Sequence, residues 1–237
     1  MDTVQSIKSL AASLGADYVG VADLAKARNF IMAQGGPGVA GYPMGVTIGI
    51  ALLDPLVDLL PEREKNGGGA LYRHHAYDVV NAALDQVALQ VANTLQRQGY
   101  RALPVAASRR TDEARICGPF SHKLAAHLAG LGWIGRSCLL ITPDHGPRVR
   151  WVTVLTDAPL EPTGSPMESR CGNCRECVTA CPVQAFTGRA FDENEPREAR
   201  FDARACDHFF REEEKRTGVA VCGMCLWSCP FGRVNKS

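Results

Sequence analysis

The sequence predicts an α/β domain over residues 1–160 followed by a small cysteine-rich module over residues 161–237. Three observations carry this. Along the first 160 residues, apolar stretches of strand length alternate with stretches of helical period. Eight of the ten cysteines fall between Cys171 and Cys229, with only Cys117 and Cys138 before them. Pro162, Gly164 and Pro166 mark a break where the composition changes. A chain of 237 residues, 46% hydrophobic, is long enough for one packed core and a small appendix.

The elements follow in order. Val4, Ile7, Leu10, Ala11 and Leu14 share one face of a helix over 3–14, and Gly15 closes it. Residues 18–22 read as a short buried strand and 24–33 as a helix, which Gly35-Gly36-Pro37-Gly38 breaks. Residues 46–53 form a second strand, and 54–69 a loop rich in Pro, Gly and charge. The longest helix runs over 72–98, with Val79, Val80, Ala83, Leu84, Val87, Leu89, Val91 and Leu95 as its apolar set and Gly99 as its stop. A strand over 101–106, a helix over 119–129 with Pro119 near its start, and strands over 139–142 and 149–156 complete the domain.

Net charge is +1, so neither a basic surface for nucleic acid nor an acidic solvating tail is indicated. The start, Met1-Asp2-Thr3-Val4-Gln5-Ser6, lacks the layout of a signal peptide. No apolar run approaches the ~20 residues of a membrane span. The expectation is a cytoplasmic chain with no membrane partner. In a reducing compartment, clustered cysteines point to metal or redox chemistry before disulfides.

The strongest motif is Cys171-Gly-Asn-Cys174-Arg-Glu-Cys177-Val-Thr-Ala-Cys181-Pro182. It is the C-x2-C-x2-C-x3-C-P run of bacterial ferredoxins, in which three thiolates face one cubane and the fourth reaches the other. The partner set is Cys222-Gly-Met-Cys225-Leu-Trp-Ser-Cys229-Pro230, its first cysteine displaced upstream to Cys206. Crossed ligation assigns Cys171, Cys174, Cys177 and Cys229 to one [4Fe–4S] cluster and Cys206, Cys222, Cys225 and Cys181 to the other. The alternative is two zinc ions. Three cysteines within seven residues, and two Cys-Pro endings, favour the cubane. Gly172 and Gly223 permit close backbone approach, and Phe186, Phe201, Phe231 and Trp227 could supply a dry shell. Potentials of such clusters span roughly −700 to +450 mV, so a low-potential role is compatible with the motif and not fixed by it.

The second motif is Ala129-Gly130-Leu131-Gly132-Trp133-Ile134-Gly135-Arg136-Ser137-Cys138-Leu139-Leu140-Ile141. It contains G-x-G-x-x-G, but a helix precedes it and a strand follows. That order is the reverse of a dinucleotide site. On its own the segment reads as a tight helix-to-strand turn.

This segment, a short strand block and two ferredoxin motifs together resemble epoxyqueuosine reductase, and more distantly reductive dehalogenases. Tyr72-Arg73-His74-His75-Ala76-Tyr77-Asp78 and Ala22-Asp23 extend the resemblance over nearly the whole chain. It implies a nitroreductase-like N-terminal domain, akin to a cobalamin-processing chaperone, holding a base-off cobalamin, with Gly130, Gly132, Trp133, Gly135 and Ser137 as contacts. It also implies a ferredoxin-like 2[4Fe–4S] module that reduces the cobalt, so the chain leans to an oxidoreductase fed by a low-potential electron donor. Two departures separate it from the reductases. Ile116 stands thirteen residues before Ala129, where those enzymes carry a proton-donating aspartate; Asp112 and Glu113 are near, in another register. The chain stops at Ser237, soon after its last ligand, where the reductases continue into a tRNA-contacting extension. The expected client is therefore a small molecule or a corrinoid protein, with no tRNA. The alternatives are a plain dicluster electron-transfer protein without cobalamin, and a true epoxyqueuosine reductase.

Of the remaining residues, Cys117 and Cys138 read as buried small hydrophobes, with Cys117 alternatively at a substrate face. His74 and His75 open a helix and could meet a cofactor. His122 and His127 are spaced i, i+5, off a metal pair. Arg109, Arg110, Arg148 and Arg150 read as surface charges or as partners of acidic groups on a ligand. The run 211–216 reads as a solvated helix face that could also meet an electron donor.

Overall fold

A computed structural model describes residues 3–233; Met1, Asp2 and residues 234–237, Ser237 included, lie outside the described residues. The chain forms two compact units, each built from three stretches. One comprises residues 1–50, 80–131 and 150–167, the other 51–79, 132–149 and 168–237. A single cut after residue 160 differs from this division. Composition registers where the cysteines begin, but it cannot register that 51–79 and 132–149 pack with them.

The first unit is built on a four-stranded sheet of order β1-β2-β6-β3. The strands are β1 (Tyr18–Asp23), β2 (Met44–Ala51), β3 (Ala102–Val105) and β6 (Val149–Thr156). β1 runs antiparallel to β2, with Tyr18 opposite Gly49, and β3 antiparallel to β6, with Val105 opposite Thr153. The central strands β2 and β6 are buried along nearly all their length. This matches their continuous apolar runs, which fit a strand covered on both faces. Gly49 is a packing requirement, because a Cβ there would lie 2.6 Å from the Trp151 ring.

The helix Val80–Arg97 packs on β3, and the helices Thr3–Ser13 and His122–Leu128 pack on β1. Val80, Leu84, Val87, Val91 and Leu95 are buried at helical spacing, and Gly99 ends the run at φ +90°. Val79 and Leu89, expected on that face, are 48% and 44% exposed. Leu89 falls off the stripe, and Val79 ends a π-helical stretch, His74–Val79, that interrupts the long helix and resets its phase. The expected loop over 54–69 contains the short helix Asp54–Val57 and a 3₁₀ turn, Leu60–Glu62. The expected helix over 119–129 begins only at His122, so Pro119 lies before it.

The second unit holds the hairpin of β4 (Trp133–Ile134) and β5 (Leu140–Ile141) and the helix Ala203–Thr217. Asp202 caps that helix by accepting from the Arg204 and Ala205 N–H groups. Arg148, read from sequence as a surface charge, is buried. Its side chain is 3% exposed, and its guanidinium donates to Asp54 at 2.6 Å and Asp58 at 3.0 Å. Arg150 donates to Asn81 in the other unit's own core. On the run 211–216, Glu213 is buried and paired with Arg63 and Arg216, so that face is only partly solvated. Among the described residues no helix is long and apolar enough to cross a membrane.

His122 ties its helix to segments distant in sequence. Its Nε2 lies 3.0 Å from the Ala106 carbonyl, and its Nδ1 3.0 Å from Thr153 Oγ1. The carbonyl takes an N–H, which leaves Nδ1 to accept from the hydroxyl, so the ring is neutral. Burial pushes its pKa down to about 4. A base with a lowered native pKa stabilises the fold above its unfolded value near 6.5, and that contribution is lost as pH falls toward 4. The ring keeps some solvent contact, so the effect is smaller than for full burial. His122→Gln is expected to lose less stability than the parent between pH 6.5 and 4.5 in thermal melts. Equal slopes would contradict this account.

Candidate metal centre

None of the ten cysteines forms a disulfide. In the first motif, Gly172 turns the chain at φ +48°, the Cys174 N–H bonds the Cys171 carbonyl, and the helix Glu176–Thr179 carries Cys177 onward to Cys181. Cys181 Sγ accepts from the Ala185 N–H at 3.3 Å. In the second, Gly223 at φ +70° opens the helix Met224–Trp227, and Cys229 precedes the turn Pro230–Gly232. Cys206 projects from the helix Ala203–Thr217.

The thiols act on one another in two groups. Burial pushes Cys229 up to about 11, and Cys177, Cys171 and Cys174 add to the rise. Cys177 is raised by burial and then by Cys171 and Cys174. Cys206 is pushed up to about 11 by burial, followed by Cys222 and Cys181. Cys225 is raised by burial, followed by Cys222, Cys206 and Cys181, with a smaller effect from Cys177. Thiols crowded this way resist ionisation until positive charge arrives among them. Among the described residues, no three His, Cys, Asp or Glu side chains converge as ligands of one metal ion.

The surroundings fit a sulfur-rich group. Of the six buried side-chain N or O atoms without a partner among the described residues, five lie in this unit: Trp133 Nε1, Arg136 Nε, Arg148 Nε, Arg200 Nε and Ser228 Oγ. Buried donors are normally satisfied. Ser228 adjoins Cys229, and Arg136 donates to the Gly172 carbonyl at 2.7 Å, inside the first motif. Phe186 and Phe201 stack at 5.1 Å and pack with Cys181, Cys206 and Cys225, and so form the apolar shell read from the sequence. Phe231 packs edge-on against Trp133 at 4.9 Å, while Trp227 lies under Arg233.

The five residues expected to contact a corrin also take part in packing. Trp133 is 1% exposed, enclosed by Phe231 and by Arg170, whose guanidinium lies 5.5 Å from its ring. A Cβ on Gly132 would stand 2.2 Å from the Ile141 carbonyl, and one on Gly130 2.9 Å from the Ser165 backbone. Gly135 lies against Ile141, and a Cβ there would be 3.5 Å from Cys171 Sγ. Ser137 is buried. Gly132 and Gly135 belong to a hairpin that abuts the cysteine turn, while Gly130 packs on Gly164 and Ser165.

Elsewhere, Ile116 sits at φ +53°, an uncommon conformation for a β-branched residue, in a turn where Asp112 and Cys117 exchange backbone hydrogen bonds. Asp112 accepts from the Arg115 N–H, and Glu113 pairs with Arg110 at 3.0 Å. Cys117 is half-buried and Cys138 buried. His75 Nε2 accepts from the Leu53 N–H at 3.3 Å, and His74 faces Asp78 at 3.6 Å. Sequence reading missed Arg136, Arg200 and Ser228. The only local signal was the position of Arg136 directly after the glycine turn.

Residues 170–232 match the 4Fe-4S double cluster binding domain. An epoxyqueuosine reductase of Synechococcus sp. is 36% identical over 123 residues, covering 48% of this chain and 35% of that protein. That of Aliivibrio fischeri is 26% identical over 66% of this chain and 40% of its own length. The chain thus spans less than half the length of these relatives. Among solved structures, a catabolic reductive dehalogenase matches with TM-score 0.68 at 22% identity, covering 98% of this chain and 32% of that one. Epoxyqueuosine reductase from Bacillus subtilis matches with TM-score 0.61 at 18% identity, covering 97% and 65%.

Gly132→Ala is expected to disrupt the β4–β5 hairpin, because the intruding Cβ meets a backbone carbonyl that cannot rotate away. The yield of folded protein and its melting temperature should fall with or without added cobalamin. Wild-type stability in this variant would contradict the packing role. By its matched domain and its relatives, the chain carries a 4Fe-4S double cluster binding domain over residues 170–232 and is similar to epoxyqueuosine reductases over about half its length, with a fold like that of a reductive dehalogenase.

Proposed function

We propose that this protein relays low-potential electrons, one at a time, through two [4Fe–4S] clusters with crossed ligation. Cys171, Cys174, Cys177 and Cys229 hold one, and Cys181, Cys206, Cys222 and Cys225 the other. The observation that carries the reading is the match of residues 170–232 to the 4Fe-4S double cluster binding domain, with all eight cysteines inside it. Cys181, from the first motif, packs in one cluster with Cys206 and Cys225, which supports the crossed assignment. Each motif lends its Cys-Pro cysteine to the other set. Bound clusters would supply the one-electron chemistry. The chain's own residues hold the sulfurs at fixed spacing, exclude water through Phe186 and Phe201, and offer the unpartnered N–H and O–H groups as donors.

Anaerobically reconstituted protein is expected to contain about eight iron and eight sulfide per chain. Zinc in their place would overturn the proposal. Cys181→Ser should damage the cluster of Cys206, Cys222 and Cys225 and spare the other, as resolved by electron paramagnetic resonance. Damage confined to the cluster of Cys171 would refute crossed ligation.

The electrons' destination is a cobalamin or a substrate in a nitroreductase-like N-terminal domain. What supports this second step is likeness of fold to a reductive dehalogenase described as performing B12-dependent dehalogenation. Mixing the reduced chain with cobalamin should shift the visible spectrum toward the base-off form. No binding under either oxidising or reducing conditions would leave a plain electron-transfer protein.

Epoxyqueuosine reduction, the activity named for the relatives, is the reading we disfavour. An epoxide oxygen leaves with a proton from a general acid in hydrogen-bond reach, and Ile116 has none to give. Asp112 and Glu113 are already engaged with Arg115 and Arg110. The chain is accordingly expected not to restore queuosine in tRNA in a strain lacking the reductase; restored queuosine, read by mass spectrometry, would reverse this.

A further inference from the structure

Arg136 occupies an unusual position in the cysteine-bearing unit. It follows Gly135, which lies so near Cys171 that an added Cβ would be 3.5 Å from the sulfur. One end of its guanidinium donates to the Gly172 carbonyl at 2.7 Å, and the other to the Gly188 carbonyl. Both acceptors are glycines at positive φ. The side of Gly188 where a Cβ would project is filled by the Arg175 guanidinium. The head group is therefore clamped on the turn that carries Cys171 and Cys174. Its third nitrogen, Nε, is buried and has no partner, and among the described residues the side chain has no carboxylate partner.

A buried N–H left over after two good hydrogen bonds costs free energy unless an acceptor exists. The half-buried guanidinium, which has no carboxylate partner among the described residues, also keeps its positive charge beside the cysteine turn. The N–H is answered by one acceptor, a negatively charged group bound by the Cys171–Cys174 turn. An iron–sulfur cluster gains negative charge on reduction. Cations and N–H donors near its sulfurs raise its potential, and burial in a dry apolar shell lowers it.

The two cysteine sets differ in their surroundings. In the first, Cys171, Cys174 and Cys177 are half-buried and Cys229 buried, and the Arg136 guanidinium is clamped on the turn that carries Cys171 and Cys174. In the second, Cys181 and Cys222 are buried and Cys206 and Cys225 half-buried; the stacked Phe186 and Phe201 line this set, and the Arg63 charge acts on it only at Cys222.

Resting on the crossed-ligation reading, we infer that Arg136 is a tuning residue. Its clamped guanidinium supplies positive charge and an N–H donor to the cluster of Cys171, Cys174, Cys177 and Cys229, and holds that cluster at a higher potential than its neighbour. Electrons in the chain then rest on the Cys171 cluster, and the Cys206 cluster is the harder to reduce. An arginine suits the task better than a lysine, because it can bind two carbonyls and still present a third donor from one rigid plane.

The test is a redox titration of the anaerobically reconstituted full chain, followed by electron paramagnetic resonance. Iron and sulfide content is measured first, so a chain without two clusters refutes the underlying reading separately. In the parent, two midpoints are expected, with the higher assigned to the Cys171 set by its displacement in Cys174→Ser. Arg136→Met should move only that midpoint to more negative potential and narrow the gap. Arg136→Lys, which keeps the charge, should fall between parent and Met. Should Met at this position prevent assembly, Arg136→Gln, which keeps N–H groups without charge, is compared with Arg136→Lys, and a lower midpoint is expected for Gln. Unchanged midpoints in variants with full iron content, equal shifts in both clusters, or a Gln variant matching the parent would overturn the inference.

Discussion

Seven cysteine sulfurs in two short turn-and-helix segments, with Cys206 on the helix Ala203–Thr217 as the eighth, cannot all ionise at such close quarters unless positive charge lies among them. Burial raises Cys177, Cys206, Cys222, Cys225 and Cys229 above the ordinary thiol range, and neighbouring sulfurs push several of them further. The rest of this unit is arranged around that constraint. Gly172 and Gly223 bend the backbone where a side chain would strain it, and Phe186 and Phe201 exclude water. Buried N–H and O–H groups stand without protein partners, as expected where their acceptors are sulfur.

The same constraint accounts for the glycine-rich segment. Gly132 and Gly135 let the β4–β5 hairpin lie directly against the cysteine turn, and Trp133 is enclosed between Phe231, two residues past Cys229, and Arg170, next to Cys171. Arg148 braces the unit from another side. A Cβ on Gly232 would lie 3.0 Å from its Nε, so the turn after Cys229 rests on a buried guanidinium fixed by Asp54 and Asp58. Because those two carboxylates keep solvent contact while Arg148 does not, the arginine depends on them more than they depend on it.

Much of this was legible from residue order. Cysteine spacing is a local signal, set by how a backbone wraps a small inorganic group, and the two motifs are readable without any long-range information. The sheet strands at 18–23, 44–51 and 149–156 were legible because a buried strand is a continuous apolar run bounded by turns. The course of the chain between the two units was not legible, since residues 51–79 and 132–149 carry no cysteine signal of their own beyond Cys138. The burial of Trp133 was not legible for a similar reason. A tryptophan among glycines looks like an open face until Phe231, almost a hundred residues later in the chain, is placed against it. Arg148 looked like a surface charge because its partners, Asp54 and Asp58, are distant in sequence.

The central claim, that two cubanes are held by crossed sets of cysteines, is tested most directly by diffraction from anaerobically grown crystals at the iron absorption edge. The account predicts two separate anomalous centres, each resolving into four irons. One should be bonded to Cys171, Cys174, Cys177 and Cys229, and the other to Cys181, Cys206, Cys222 and Cys225. A single centre, isolated one-metal peaks, or a cluster bonded to Cys171, Cys174, Cys177 and Cys181 together would contradict it.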